Sequence, residues 1–131
     1  MEIKLNELSQ SALSYLGDSV MELYVRTMLV KNGYEKSKNL NKAALSYVTA
    51  TAQARAVSKI LPHLDDEEAG VYRRGKNSSA SNVPKSASCL EYKMATGLEA
   101  LFGYLYLAER YDRIDEIFKI GYLDEENNNC N

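Results

Sequence analysis

Between Ala95 and Ala108 the chain reads ATGLEALFGYLYLA, a run in which Glu99 is the only charged residue. At about 100° per residue these apolar side chains point all round a helix, and a helix apolar on every side has to be enclosed by others. The segment belongs to a helix expected over about Leu90 to Tyr111, and that helix must lie at the centre of the fold. The rest of the sequence supplies its surroundings. Apolar residues return at three- and four-residue intervals along most of the 131 positions, and nowhere do they alternate with polar ones in the β-branched runs typical of strands. An all-α fold follows, with about five to seven helices in a single domain.

The first long helix is expected from about Leu8 to Lys31, starting at Asn6 or Ser9, with Leu13, Leu16, Val20, Leu23 and Thr27 as its stripe and Asn32-Gly33 as its stop. A second follows Ser37 and carries Leu40, Ala44, Leu45 and Val48. Thr49 offers the N-cap of a third that reaches Leu61 before Pro62, and the pattern leaves open whether these two are continuous. Asp65 to Glu68 place acid at the start of a short helix with Arg73-Arg74 near its end, which suits the helix dipole. From Gly75 to Ser88 the sequence GKNSSASNVPKSAS has loop composition. A last helix begins near Asp112 and carries Ile114, Ile117, Phe118 and Ile120. The domain is expected to occupy 1–123, leaving 124–131 as a disordered acidic and Asn-rich tail.

Several chemistries are excluded by inventory. The one histidine, His63, follows Pro62 and reads as a helix cap or surface residue. There is no nucleophile elbow and no paired Cys/His spacing, so a serine hydrolase or zinc enzyme is not indicated. Cys89 and Cys130 read as free thiols. Gly70 to Lys76, GVYRRGK, imitates a phosphate loop, but Asn77 replaces the needed Ser/Thr and a helix precedes it, so the match is coincidental. No apolar run spans a bilayer and Met1-Glu2-Ile3-Lys4 does not open a signal peptide, which makes a cytoplasmic protein without membrane association the expectation. A net charge of −2 argues against nucleic-acid binding through bulk positive charge. A local basic patch remains available, since every charged residue between Gly70 and Leu90 is basic: Arg73, Arg74, Lys76 and Lys85. Ten Tyr against two Phe and no Trp suit interfaces and half-wet cores.

Two isolated carboxylates carry the most information. Asp18 is the only charge from Ala12 to Met21, and helical geometry groups it with Ser14, Met21, Val25 and Leu29. Glu99 shares its face with Ala95, Phe102 and Tyr106, and neither helix offers a basic residue on the same face within one turn. An ionised carboxylate buried without a partner costs several kcal/mol at least. Two readings stay open. Each acid sits at the surface or pairs with a cation from elsewhere, or the two meet and hold a hard divalent ion, Mg²⁺ or Mn²⁺. Gly17, Gly97 and Gly103 allow the close helix approach that the second reading needs. A metal held by carboxylates beside a Lys/Arg-rich segment suits phosphodiester chemistry on nucleic acid, although that segment taken alone is also an ordinary solvated loop.

At these same residues a family likeness appears. Ser14-Tyr15-Leu16-Gly17-Asp18-Ser19-Val20 resembles the signature helix of the ribonuclease III family, Glu-Phe-Leu-Gly-Asp-Ala/Ser-Val, and Thr96-Gly97-Leu98-Glu99-Ala100-Leu101-Phe102-Gly103 resembles its second motif, Asp-x-x-Glu-Ala-Leu-Ile-Gly. Tyr72 to Asn77, Thr96-Gly97 and Gly103 to Leu107, with little chain after the second motif, are similar to the bacterial Mini-III branch, which lacks a double-stranded-RNA-binding domain. The resemblance covers about Leu8 to Tyr122. It implies a Mg²⁺-dependent endoribonuclease that cuts double-stranded RNA by metal-activated water as a homodimer, with the precursor of 23S ribosomal RNA as substrate. Asp18 and Glu99 then become the metal-binding catalytic carboxylates. Where typical members carry further acids this chain has Ser11, Ser14 and Thr96, and the hydroxyls of Ser14 and Thr96 could orient water around the metal. Tyr15 stands where the family inserts an aromatic into the partner protomer, or else it is a half-buried core tyrosine. Arg73, Arg74, Lys76 and Lys85 are the candidate phosphate contacts, reading A-form shape. A ribosomal protein is a further candidate partner. The competing classes are a non-catalytic helical RNA-binding or ribosome-associated module on the same fold, and a phosphohydrolase of small nucleotides.

Overall fold

Start and stop signals in the sequence become helix ends in the computed structural model, which describes residues 4–78 and 88–123. Six helices are formed there: α1 (Gln10–Lys31), α2 (Ser37–Val48), α3 (Ala50–Ile60), α4 (Asp66–Ser78), α5 (Cys89–Leu107) and α6 (Tyr111–Phe118). Single turns occupy Leu5–Glu7, Leu61–His63 and Lys119–Leu123, and no strand occurs among the described residues. Ser9 caps α1 by accepting from the Ala12 N–H at 3.0 Å, and Gly33 ends that helix with a φ of 94°. Thr49 is extended and accepts from the Ala52 N–H at 3.3 Å, so α2 and α3 are separate helices. Reciprocal capping boxes open α4 (Glu68 N–H to Asp65 Oδ1, 2.8 Å; Asp65 N–H to Glu68 Oε1, 3.0 Å) and α5 (Glu91 N–H to Ser88 Oγ, 3.1 Å; Ser88 N–H to Glu91 Oε1, 3.2 Å).

As its composition requires, α5 is central: it packs on α1, α3, α4 and α6, with Leu98, Leu101, Phe102 and Leu105 fully buried. Each such side chain contributes roughly 1.5–3 kcal/mol of burial. Two glycines set the α1–α5 crossing. A Cβ on Gly17 would lie 1.6 Å from the Glu99 carbonyl oxygen, and one on Gly103 would lie 2.0 Å from that of Leu13, so the two backbones are in direct contact. Gly97 serves a different neighbour: a Cβ there would meet the Tyr72 ring of α4 at 2.8 Å.

Four expectations are corrected. The buried face of α1 is Leu13, Gly17, Val20, Met21, Val25, Met28 and Leu29, whereas Leu23 is 60% exposed and Thr27 faces solvent. The helix is presented to α5 through Gly17, which has no side chain to register in an apolar pattern. Second, α4 continues to Ser78, so Gly75 to Ser78 are helical; Gly75 packs where a Cβ would come within 2.6 Å of the Ala100 side chain. Third, α5 stops at Leu107, ahead of Tyr111, because Glu109 turns the chain with a φ of 59°. Fourth, α3 ends at Ile60 and Leu61-Pro62-His63 form a separate turn.

Glu68 is more than a dipole partner. It is 0% exposed and forms a two-pronged pair with Arg113 (Nε to Oε2, 2.7 Å; Nη2 to Oε1, 2.8 Å), with Arg110 at 3.8 Å. Burial alone would raise its pKa, but Arg113 and the Asp65 N–H hold the carboxyl below the usual range. Arg113 also donates to the His63 carbonyl at 2.7 Å, tying the α3–α4 connection to α6, while the His63 side chain is exposed. Cys89 is an exposed free thiol. Among the described residues no helix is long and apolar enough to cross a membrane. Lys85, Cys130 and the tail 124–131 lie outside the described residues.

Candidate metal-binding cleft

The α1–α5 crossing fixes the site. Asp18 follows Gly17, whose missing side chain is replaced by the backbone carbonyl of Glu99, so the two acids stand on either side of the closest backbone contact. Their carboxyl groups come close enough for Asp18 to raise the pKa of Glu99. They face an open cleft of about 330 Å³ to which α1 contributes Ser11, Ser14, Tyr15 and Asp18, α4 contributes Ser78, and α5 contributes Tyr92, Thr96 and Glu99.

The environments of the acids differ. Glu99 is half-buried, and burial pushes its pKa up to about 8, helped by the hydrogen bond and charge of Asp18 and opposed by a hydrogen bond from Gln53. Asp18 is exposed at the mouth of the cleft, so the burial argument made from sequence holds for Glu99 and not for Asp18. Behind Glu99, the Tyr122 hydroxyl is buried without a hydrogen-bond partner among the described residues; burial, then the Glu99 charge, raises its pKa above the ordinary phenol value.

Three hydroxyls in the cleft wall share one orientation. Ser14 Oγ donates to the Ser11 carbonyl at 3.3 Å, Thr96 Oγ1 to that of Tyr92 at 3.0 Å, and Ser78 Oγ to that of Gly75 at 2.9 Å. Each hydrogen is turned into its own helix, leaving the oxygen lone pairs as acceptors. Together with two like-charged carboxylates this all-oxygen, acceptor-rich wall fits a hard divalent cation sheathed in water. Among the described residues, no group of three or more His, Cys, Asp or Glu is placed to hold a metal, and the acids that line the cleft are Asp18 and Glu99.

Ser14, Tyr15, Asp18, Thr96 and Glu99, singled out from sequence, therefore converge on one cleft. Tyr15 is 84% exposed, which removes the core-tyrosine reading. Arg73, Arg74 and Lys76 lie on α4 and do not line the cleft; Arg74 borders a separate groove with Gln10, Leu13 and Tyr104. Sequence reasoning passed over Ser78, Tyr92 and Gln53. Ser78 was hidden in loop-like composition, and the only trace of Gln53 was a lone amide in an alanine-rich helix.

An all-helical domain whose central crossing brings two acids into an oxygen-lined cleft fits the class of nuclease domains. The Ribonuclease III domain family matches residues 11–110, and the chain belongs to the ribonuclease III family. Within it, the chain falls in the Mini-ribonuclease 3 branch. It is 45% identical over 107 residues to Mini-ribonuclease 3 of Symbiobacterium thermophilum (82% of each chain). It is 47% identical over 108 residues to that of Desulfitobacterium hafniense (82% of this chain, 68% of the relative). A crystal structure of a Fusobacterium nucleatum protein superposes with a TM-score of 0.81 at 34% identity, covering 92% of this chain and 97% of that one. As a member of this family the chain is an endoribonuclease.

Proposed function

We propose that the protein cuts double-stranded RNA in a divalent-metal-dependent reaction, with Asp18 and Glu99 as the catalytic carboxylates that hold Mg²⁺, or Mn²⁺ in its place. The observation that carries this reading is the meeting of two acids in one cleft at the α1–α5 crossing. Two such groups side by side require either a shared proton or a cation, and the surrounding acceptors suit the cation. When bound, such an ion supplies Lewis acidity and an activated water for in-line attack on a phosphodiester.

The chain's own residues divide the remaining work. Asp18, at the solvent-facing edge, and Glu99, behind it, present oxygens from two helices whose spacing is set by backbone contact. Ser14 and Thr96 accept hydrogen bonds from water held in the cleft, because their own hydrogens are already donated. No side-chain nucleophile is involved. Arg73, Arg74 and Lys76, on α4 outside the cleft, grip phosphates along the flanks of the duplex, with Lys85 as a further phosphate contact. With a net charge of −2, binding depends on this local patch and is salt-sensitive.

Tyr15, a large aromatic exposed beside the carboxylates, supports a two-fold homodimer in which it enters the partner protomer. Two clefts related by a dyad match the two strands of a duplex. The paired ends of the 23S ribosomal RNA precursor are the proposed cellular substrate, with a ribosomal protein as candidate helper and the cytoplasm as site of action.

The deciding experiment incubates the purified protein with long duplex RNA or single-stranded RNA, in Mg²⁺, Mn²⁺ or EDTA, beside Asp18→Asn and Glu99→Gln. Duplex-selective cutting that requires metal is expected, with each variant reduced at least about a hundredfold. Duplex binding without cutting in any metal would point to the non-catalytic module, and turnover of mononucleotides to a small-nucleotide phosphohydrolase.

A further inference from the structure

The buried polar or charged side chains identified among the described residues are Glu68 and Gln53. Glu68 is accounted for by its pairing with Arg113. Gln53 has no comparable structural partner. It is 4% exposed on α3, on a face otherwise formed by Ala52, Ala56, Val57 and Ile60, where an aliphatic residue would avoid the cost of desolvating an amide. Its Nε2 lies 3.8 Å from the Met21 sulfur, a weak acceptor. The strong acceptor close enough for it to act on is the carboxylate of Glu99, whose charged form the Gln53 amide favours.

The direction of approach matters. The cleft is lined by α1, α4 and α5, whereas Gln53 comes from α3, which packs on α5 from another side. Glu99 is thus met by Asp18 in the cleft and by Gln53 from behind it. A lysine or arginine at position 53 would neutralise Glu99 and compete with a cation. A neutral amide holds the carboxylate by one oxygen while leaving its charge for the metal.

We propose that Gln53 is a positioning residue of the metal site: its amide, steadied by the Met21 sulfur and the apolar face of α3, fixes the Glu99 carboxylate so that an oxygen is presented to the cation in the cleft. This rests on the reading of Asp18 and Glu99 as the metal-holding pair.

The test compares wild type with Gln53→Met, which keeps the volume and removes the donor, and with Val57→Ala, a core truncation on the same helix. Three quantities are measured: Mn²⁺ binding by calorimetry without RNA, the Mg²⁺ concentration giving half-maximal duplex cleavage, and the melting temperature in EDTA. The expected result for Gln53→Met is a loss of roughly 10- to 100-fold in both metal readouts with a melting temperature near wild type. Val57→Ala is expected to lower the melting temperature and leave both metal readouts within twofold. A Gln53→Met protein whose metal readouts also stay within twofold overturns the proposal. Should that variant fail to fold, Gln53→Asn, whose amide is one methylene too short to reach, is judged by the same criterion. If wild type binds no Mn²⁺, or Asp18→Asn binds it unchanged, the site reading itself fails, which is a result distinct from failure at Gln53 alone.

Discussion

Glu99 gives the metal-free protein a pH signature. Its folded pKa of about 8 lies well above the ordinary carboxyl value of 4.5. Between those limits the folded chain keeps a proton that the unfolded chain has released, so this group's contribution to stability falls as pH rises from about 4.5 to about 8 and then levels off. In EDTA the melting temperature is expected to decline over that interval, and Glu99→Gln, neutral throughout, should flatten the decline. An identical slope in the variant would show that Glu99 is not the group responsible. At this scale the sequence was informative wherever a residue violated its surroundings: Asp18 and Glu99 stand out as lone charges in apolar runs. Gln53 raised no such signal, because a neutral amide between alanines is unremarkable until α3 is seen to place it against Glu99. The exposure of Asp18 was equally hidden, since periodicity assigns a face and cannot say where a neighbouring helix stops.

Helices were legible where caps and periodicity agreed, as at Ser9, Thr49 and Gly33. They were misread where packing overrode local preference. The last turn of α4 has the composition of a loop and is helical because Gly75 fits against Ala100 of α5. The α1 stripe was misplaced because its contact point is Gly17, which contributes closeness in place of hydrophobicity. That contact yields the prediction proper to this scale. Gly17→Ala puts a methyl into the Glu99 carbonyl, so α1 and α5 must separate, at a cost of about 1–3 kcal/mol or more. Thermal melting should register the loss, and duplex cleavage should fall further than stability alone explains, because separating the helices also separates Asp18 from Glu99. Full activity in a folded Gly17→Ala protein would refute the link between crossing and site.

For the molecule as a whole, the all-α class followed from helical periodicity along most of the chain, and the central place of α5 from the run around Glu99, because a helix apolar on all sides admits few arrangements. Its association did not follow in the same way, since Tyr15 reads alike whether it faces a core or a partner. With 84% of Tyr15 exposed, sedimentation should find the wild type dimeric and Tyr15→Ala with a dissociation constant raised at least about tenfold. A monomeric wild type would remove the proposed dimer. One further property follows from the hydroxyls of Ser14, Ser78 and Thr96, whose hydrogens point into their own helices. A phosphodiester likewise offers lone pairs, so at these three hydroxyls protein and nucleic acid meet with matching polarity. On the metal-dependent reading proposed above, the flanks of a duplex are gripped while its backbone stays unharmed, and ion supply, rather than encounter with RNA, acts as the safety catch on a blade that has no edge of its own.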